Sequence, residues 1–183
     1  MGTRHLTVVK IDGEIKVAQY GQWDGYPSGQ GKDILNFLNS EEFDLEVFRK
    51  KVDQVRWLTE EEIKTINSMR NWQGKYPYLS RDCGADILNH IFNSDEPLTV
   101  NDSLSFAGDS LFCEWAYVIN LDNDTLEVYS GFNKQPLKED ERFYGCENSD
   151  SKEYYPVKFV KEYDLHNLPS DKEFIDELEK DEG

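Results

Sequence analysis

Asp12-Gly13 lies between two runs of β-branched and apolar residues, 6–11 and 15–20. A two-residue Asp-Gly link reaches the positive φ values of a tight antiparallel turn, so the chain is committed to a β-hairpin from its start. Helical periodicity follows. Ile34, Leu35, Phe37 and Leu38 mark one apolar face. Ser40 is expected to cap a second helix, with Glu41 and Glu42 in its first turn and Phe43, Val47, Phe48 and Val52 as its buried stripe. Thr59 and Glu62 have the spacing of a capping box, with Leu58 and Ile63 as a hydrophobic staple, which predicts a helix over 60–69. An aromatic loop, 71–79, leads to Ser80-Arg81-Asp82, which opens a helix with Ile87, Leu88, Ile91 and Phe92 inward; 93–109 reads as a polar loop.

Strand character returns at 111–121, where Leu111, Cys113, Trp115, Tyr117 and Ile119 share one face. Both faces are largely apolar, which places this strand centrally. Residues 122–125 form a turn, 126–132 the returning partner, and 155–163 an edge strand with Pro156 at its start. A loop over 145–151 precedes that strand. Ser170 and Glu173 repeat the capping spacing and open a short acidic helix to about residue 180. The expected class is α+β: a mostly antiparallel sheet built from an N-terminal and a C-terminal hairpin, with a block of helices between. Residues 1–168 form one domain and 169–183 an acidic C-terminal helix or tail.

Charge narrows the partners. The net charge is −17, and residues 139–183 alone carry 15 acids against 6 bases. Direct binding to DNA, RNA or an anionic membrane is disfavoured, because phosphate contact wants lysine and arginine. A basic protein surface is the complementary partner, approached with long-range electrostatic steering. No apolar run is long enough for a membrane span and no secretory h-region begins the chain, so a cytoplasmic protein is expected. Cys83, Cys113 and Cys146 are widely separated and read as reduced thiols without a disulfide. The three histidines and three cysteines show no ligand spacing, so neither metal nor cofactor is expected.

Residues 18–31 hold four glycines, one proline, Trp23 and Tyr26. Glycine reaches positive φ without steric cost, so repeated turning is expected here, and bulky groups within such turns point to a binding loop. Arg4, Gln22, Trp23, Asp24, Tyr26, Ser28 and Gln30 are the candidate binding residues, with Gln22, Trp23, Asp24 and Tyr26 expected on one concave surface against the hairpin. The glycine spacing fits neither a dinucleotide nor a phosphate loop, although backbone amides at the following helix could hold an anion. Two other positions could carry chemistry. Cys83 stands where a helix N-terminus could activate a thiol, and Glu114 lies among apolar neighbours where burial could raise a carboxyl pKa. For each, the alternative is structural: a small core residue, and a carboxylate met by arginine or water.

Met1-Gly2-Thr3-Arg4, a hairpin, and then Tyr20, Asp24, Tyr26, Pro27, Gly29 and Gly31 in the pattern Tyr-x-x-x-Asp-x-Tyr-Pro-x-Gly-x-Gly resemble a group of small uncharacterised proteins of phages, bacteria and fungi. Residues 116–122 and 126–131 fit the same group, which implies no specific activity. A second resemblance is to N-terminal-nucleophile hydrolases, which begin with a hairpin whose first residue attacks. Asp24 would fill the aspartate slot after the second strand. Gly2 has no side chain to attack with, so that chemistry would need Thr3 at the N-terminus. No complete catalytic set is present. The reading is an acidic cytosolic binding or inhibitor protein, phage-encoded and acting on a host factor, whose partner is a basic protein or a small ligand at the glycine-rich loop. The alternative is an amide hydrolase of the N-terminal-nucleophile type, or a relative without the nucleophile.

Overall fold

Strands β1 (His5–Ile11) and β2 (Glu14–Gly21) form the expected hairpin, with Asp12 and Gly13 at positive φ in the turn. This computed structural model describes residues 2–146 and 153–179. The 145–151 loop lies outside them beyond Cys146, as does the end of the C-terminal tail from residue 180. Helices α1 (Lys32–Asn39) and α2 (Leu45–Asp53) come next, then a two-residue strand β3 (Arg56–Trp57), α3 (Glu60–Asn67), the short α4 (Trp72–Lys75) and α5 (Ile87–Asn93). Strand β4 (Thr99–Val100) pairs in parallel with β3. Strands β5 (Trp115–Asn120), β6 (Thr125–Ser130) and β7 (Lys158–Asp164) and helix α6 (Asp171–Glu179) complete the described chain.

The main sheet runs β2-β1-β5-β6-β7. All its pairings are antiparallel except β1 with β5, which joins the two hairpins in parallel. The fold is α+β, as the order of elements predicts. Every residue of β5 is buried, so this strand is central. Its odd-numbered residues, Trp115, Tyr117 and Ile119, meet a helical layer that includes Ile34, Phe48, Leu88 and Phe174. Its even-numbered residues, Ala116 and Val118, face a smaller core closed by Ala107, Phe143 and Val157. The last helix, placed with the acidic tail from sequence, sinks Phe174 and Leu178 into the main core.

Local chemistry moved several boundaries. Ser40 closes a tight turn by accepting from the Glu42 N–H, and Asp44 caps α2 instead by accepting from Val47 N–H at 3.1 Å. Val47 is therefore exposed, whereas Phe48 and Val52 are buried as expected. The Thr59–Glu62 capping box is present with both reciprocal bonds. The central strand starts at Trp115 rather than 111. The amides of Phe112 and Cys113 are spent on the Asp109 carbonyl, which leaves Leu111 and Phe112 exposed. In the same way the Tyr155 and Val157 amides bond Asn133 and Ala107, so β7 begins only at Lys158. Among the described residues no helix is long and apolar enough to cross a membrane.

Candidate functional site

The glycine-rich stretch is a hub of the fold. None of Gly21, Gly25, Gly29 and Gly31 has a positive φ; that strain falls on Asp24, at 55°. The chain does turn here, the Gly29 and Gly31 amides bonding back to the Tyr26 carbonyl, but without positive-φ glycines; Gly21 and Gly31 instead allow close approach. A Cβ on Gly21 would stand 2.0 Å from His5 Nε2, and one on Gly31 would stand 2.7 Å from the Tyr117 hydroxyl oxygen. Tyr117 O–H donates to the Gly25 carbonyl at 2.7 Å, and the Gly25 N–H donates to the Thr3 carbonyl at 2.9 Å. The loop thus locks the N-terminus, β5 and α1 together. Gly21→Ala is expected to destabilise the fold by roughly 2–3 kcal/mol through overpacking. Gly74→Ala, whose new methyl meets nothing within 4 Å, should leave the denaturation midpoint unchanged.

The seven sequence candidates take separate neighbours. Arg4 lies over the Phe112 ring, 5.1 Å from its centroid. Gln22 accepts from the Tyr20 hydroxyl, and Trp23 Nε1–H donates to Asp82 at 2.7 Å. Trp23, Asp24 and Tyr26 are exposed and Gln22 is half-buried. The Ser28 amide donates to the Glu179 carboxylate of α6 at 2.9 Å. Gln30 turns inward, accepting from the Ala85 N–H at 2.8 Å and donating to Asp33 at 3.4 Å.

Gln30 also marks the upper end of a groove of about 380 Å³ between α1 and α5. Each helix lays a polar stripe along it at i, i+3, i+7: Asp33, Asn36 and Ser40 from α1 and the turn that follows it, and Asp86, Asn89 and Asn93 from α5 and its preceding turn. One helical face carries each such set. Phe37, Phe43 and Phe92 line the groove too, their rings in edge-on and tilted contact at centroid distances of 5.2, 5.8 and 5.9 Å. Glu42 adds a third carboxylate, and among the described residues no lysine or arginine lines the groove. Burial holds the Asp33 carboxyl above its usual range; the charges of Asp86 and Asp24 act the same way, against the opposing pull of Lys32. Such a site repels anions, which disfavours the anion-binding reading of this helix start. Sequence reasoning read α1 and α5 for their apolar faces alone, and the polar i, i+3, i+7 sets opposite were the signal available.

The two other candidate positions lie outside this groove. Burial, helped by Asp86, pushes the Cys83 thiol up to about 12, and His90 pairs with Asp86 at 3.3 Å. Burial also raises Cys113 and Cys146, and all three cysteines are free thiols. Glu114 is half-buried just ahead of β5, its backbone bonded to Arg4 and Gly131. The buried carboxylate lies elsewhere. Glu127 of β6 is held by Arg142 at 2.5 and 2.6 Å, by the Tyr129 hydroxyl at 2.5 Å and by Asn120 at 3.0 Å. Burial pushes the Glu127 carboxyl up, but these bonds outweigh it and hold it below the usual range. No group of three or more potential ligands among the described residues could hold a metal ion.

Comparison with protein-family models, with curated proteins and with solved structures finds no match to this chain.

Proposed function

We propose that this is an acidic binding protein that engages a basic protein partner, seating a lysine or arginine side chain in the groove between α1 and α5. The observation that carries this reading is the pair of facing polar stripes headed by Asp33 and Asp86, with no cation among the described residues that line the groove. The three phenyl rings suit the aliphatic stem of a long basic side chain and attract its charged head through their faces. The net charge of −17 would speed encounter with such a partner. Occupying a basic surface in this way would sequester or inhibit the partner, which keeps the reading of an inhibitor directed at a host factor.

The hydrolase alternative has less support. Thr3 is buried, with its carbonyl engaged by Gly25. Gly2 packs so closely on Gln22 and Trp23 that a Cβ there would lie 2.1 Å from the Gln22 carbonyl oxygen. The raised thiol pKa values leave little thiolate for attack.

Titration with an arginine-rich peptide at low ionic strength tests the binding reading. Asp33→Asn/Asp86→Asn should weaken binding by about tenfold, as loss of close charge partners does. Added salt should weaken the parent protein's binding as the screening length shortens to about 8–10 Å. Equal affinity for the parent and the double variant would remove the groove from the interface. The acids of α6 are a poorer choice for such a test, because Glu177 already bonds Lys161 and Tyr163.

A further inference from the structure

His5 and Thr7 of β1 and Gln19 of β2 are buried on the helix-facing side of the sheet. The register sets Thr7 directly opposite Gln19, and His5 opposite Gly21 one step along the same face. Cross-strand partners on one face have Cβ atoms about 4.5–5.5 Å apart, so the three side chains form one polar row. The turn at Gly84 closes over it; a Cβ there would stand 3.1 Å from His5 Cε1 and 2.7 Å from Gln30 Oε1. Tyr117, beside Thr7 on β5, already bonds the Gly25 carbonyl, and the Gln19 amide nitrogen donates to the Tyr78 carbonyl at 3.3 Å.

Four atoms of the row have no partner at bonding geometry among the described residues: His5 Nδ1 and Nε2, Thr7 Oγ1 and Gln19 Oε1. The Trp23 backbone approaches the ring and favours its protonated form, without completing a bond. An unpaired buried polar atom weakens folding by roughly five- to 150-fold, and four together would exhaust the margin of an ordinary domain. We infer that the row is an internal solvent site, with one or two water molecules bridging His5, Thr7 and Gln19. The chemistry matches. Neutral imidazole offers one N–H and one bare nitrogen, the threonine hydroxyl donates and accepts, and Gln19 Oε1 only accepts. One water can accept from the imidazole N–H and the hydroxyl while donating to the glutamine oxygen. No carboxylate in the row would hold a cation, and Gln19 Oε1 would oppose an anion. The bridged water ties β1 and β2 together beneath the glycine-rich loop, as buried waters do for polar groups that protein cannot satisfy.

Two measurements on the full chain test this. In the unaltered protein, a high-resolution crystal structure should place ordered solvent within hydrogen-bond reach of Thr7 Oγ1, Gln19 Oε1 and a His5 ring nitrogen. Thr7→Val, nearly isosteric, should lower the folding equilibrium constant about tenfold by leaving the water and its other partners under-bonded. A dry row with Thr7 donating directly to Gln19 would overturn the inference, and so would a Thr7→Val protein as stable as its parent or more so.

Discussion

Arg142→Met should destabilise the protein by about 3 kcal/mol at neutral pH, because it removes one partner of a buried pair and leaves the other charged. Glu127 is almost fully buried and Arg142 about one-fifth exposed, so the lower end of the range for buried pairs applies. Without the guanidinium, burial would dominate the Glu127 carboxyl and carry its folded pKa above the unfolded value. The sign then follows. A carboxyl with a raised folded pKa penalises folding above that pKa and ceases to do so once protonated. The difference between variant and parent should therefore be largest near pH 7 and shrink as the pH falls toward 5. Replacing both groups, Glu127→Leu/Arg142→Met, should recover much of the loss, since two apolar side chains leave no orphaned charge. Urea denaturation of the three proteins at two pH values checks this; a constant deficit across pH would show that Arg142 acts through packing alone.

The second large effect belongs to His5. Burial lowers its pKa from 6.5 to about 4, against a smaller opposing effect of the Trp23 backbone. Between those values the unfolded chain binds a proton that the folded chain does not. Stability is therefore fully present above about pH 6.5 and falls as the pH drops toward 4, by about 3 kcal/mol in all for a shift of this size. Below that window both states carry the proton and the contribution is flat. Acidic side chains also titrate near its lower edge, so the comparison is with His5→Asn. The variant should be less stable at pH 7 and lose less between pH 6.5 and 5 than its parent. Parallel slopes for the two proteins over that interval would show that the imidazole charges in place.

Much of the scaffold could be read directly from residues whose role is local. Asp12-Gly13 specifies its turn by backbone preference alone, and Thr59 with Glu62 satisfies helix amides within four residues. Features that depend on distant partners were less legible. Nothing local to 111–114 says that Asp109 will take the amides of Phe112 and Cys113 and shorten the strand. The glycines at 21 and 31 suggested turns, while their need arises from His5 and Tyr117, which only the folded sheet brings near. Glu127 and Arg142 carried no pairing signal because a loop, not an element, delivers the arginine. The groove was half legible: each stripe has helical spacing, but their facing one another is a matter of tertiary packing.

The parallel seam between β1 and β5 also sets the order in which this protein can assemble. Each hairpin closes through neighbours in sequence, β1 with β2 and β5 with β6. The seam joins His5 to Trp115 and Lys10 to Asn120, and it is fastened beyond its end by Asp122, which accepts from the amides of Asp12 and Gly13. Loop-closure entropy must be overcome before such contacts repay it, so pairing of this range slows folding. During synthesis the first hairpin and the helices emerge long before the strand that completes the sheet. Until residue 120 leaves the ribosome, one edge of β1 has no partner. A nascent chain of this protein therefore spends its vulnerable interval with a sticky strand edge exposed, where a chaperone would bind to most effect.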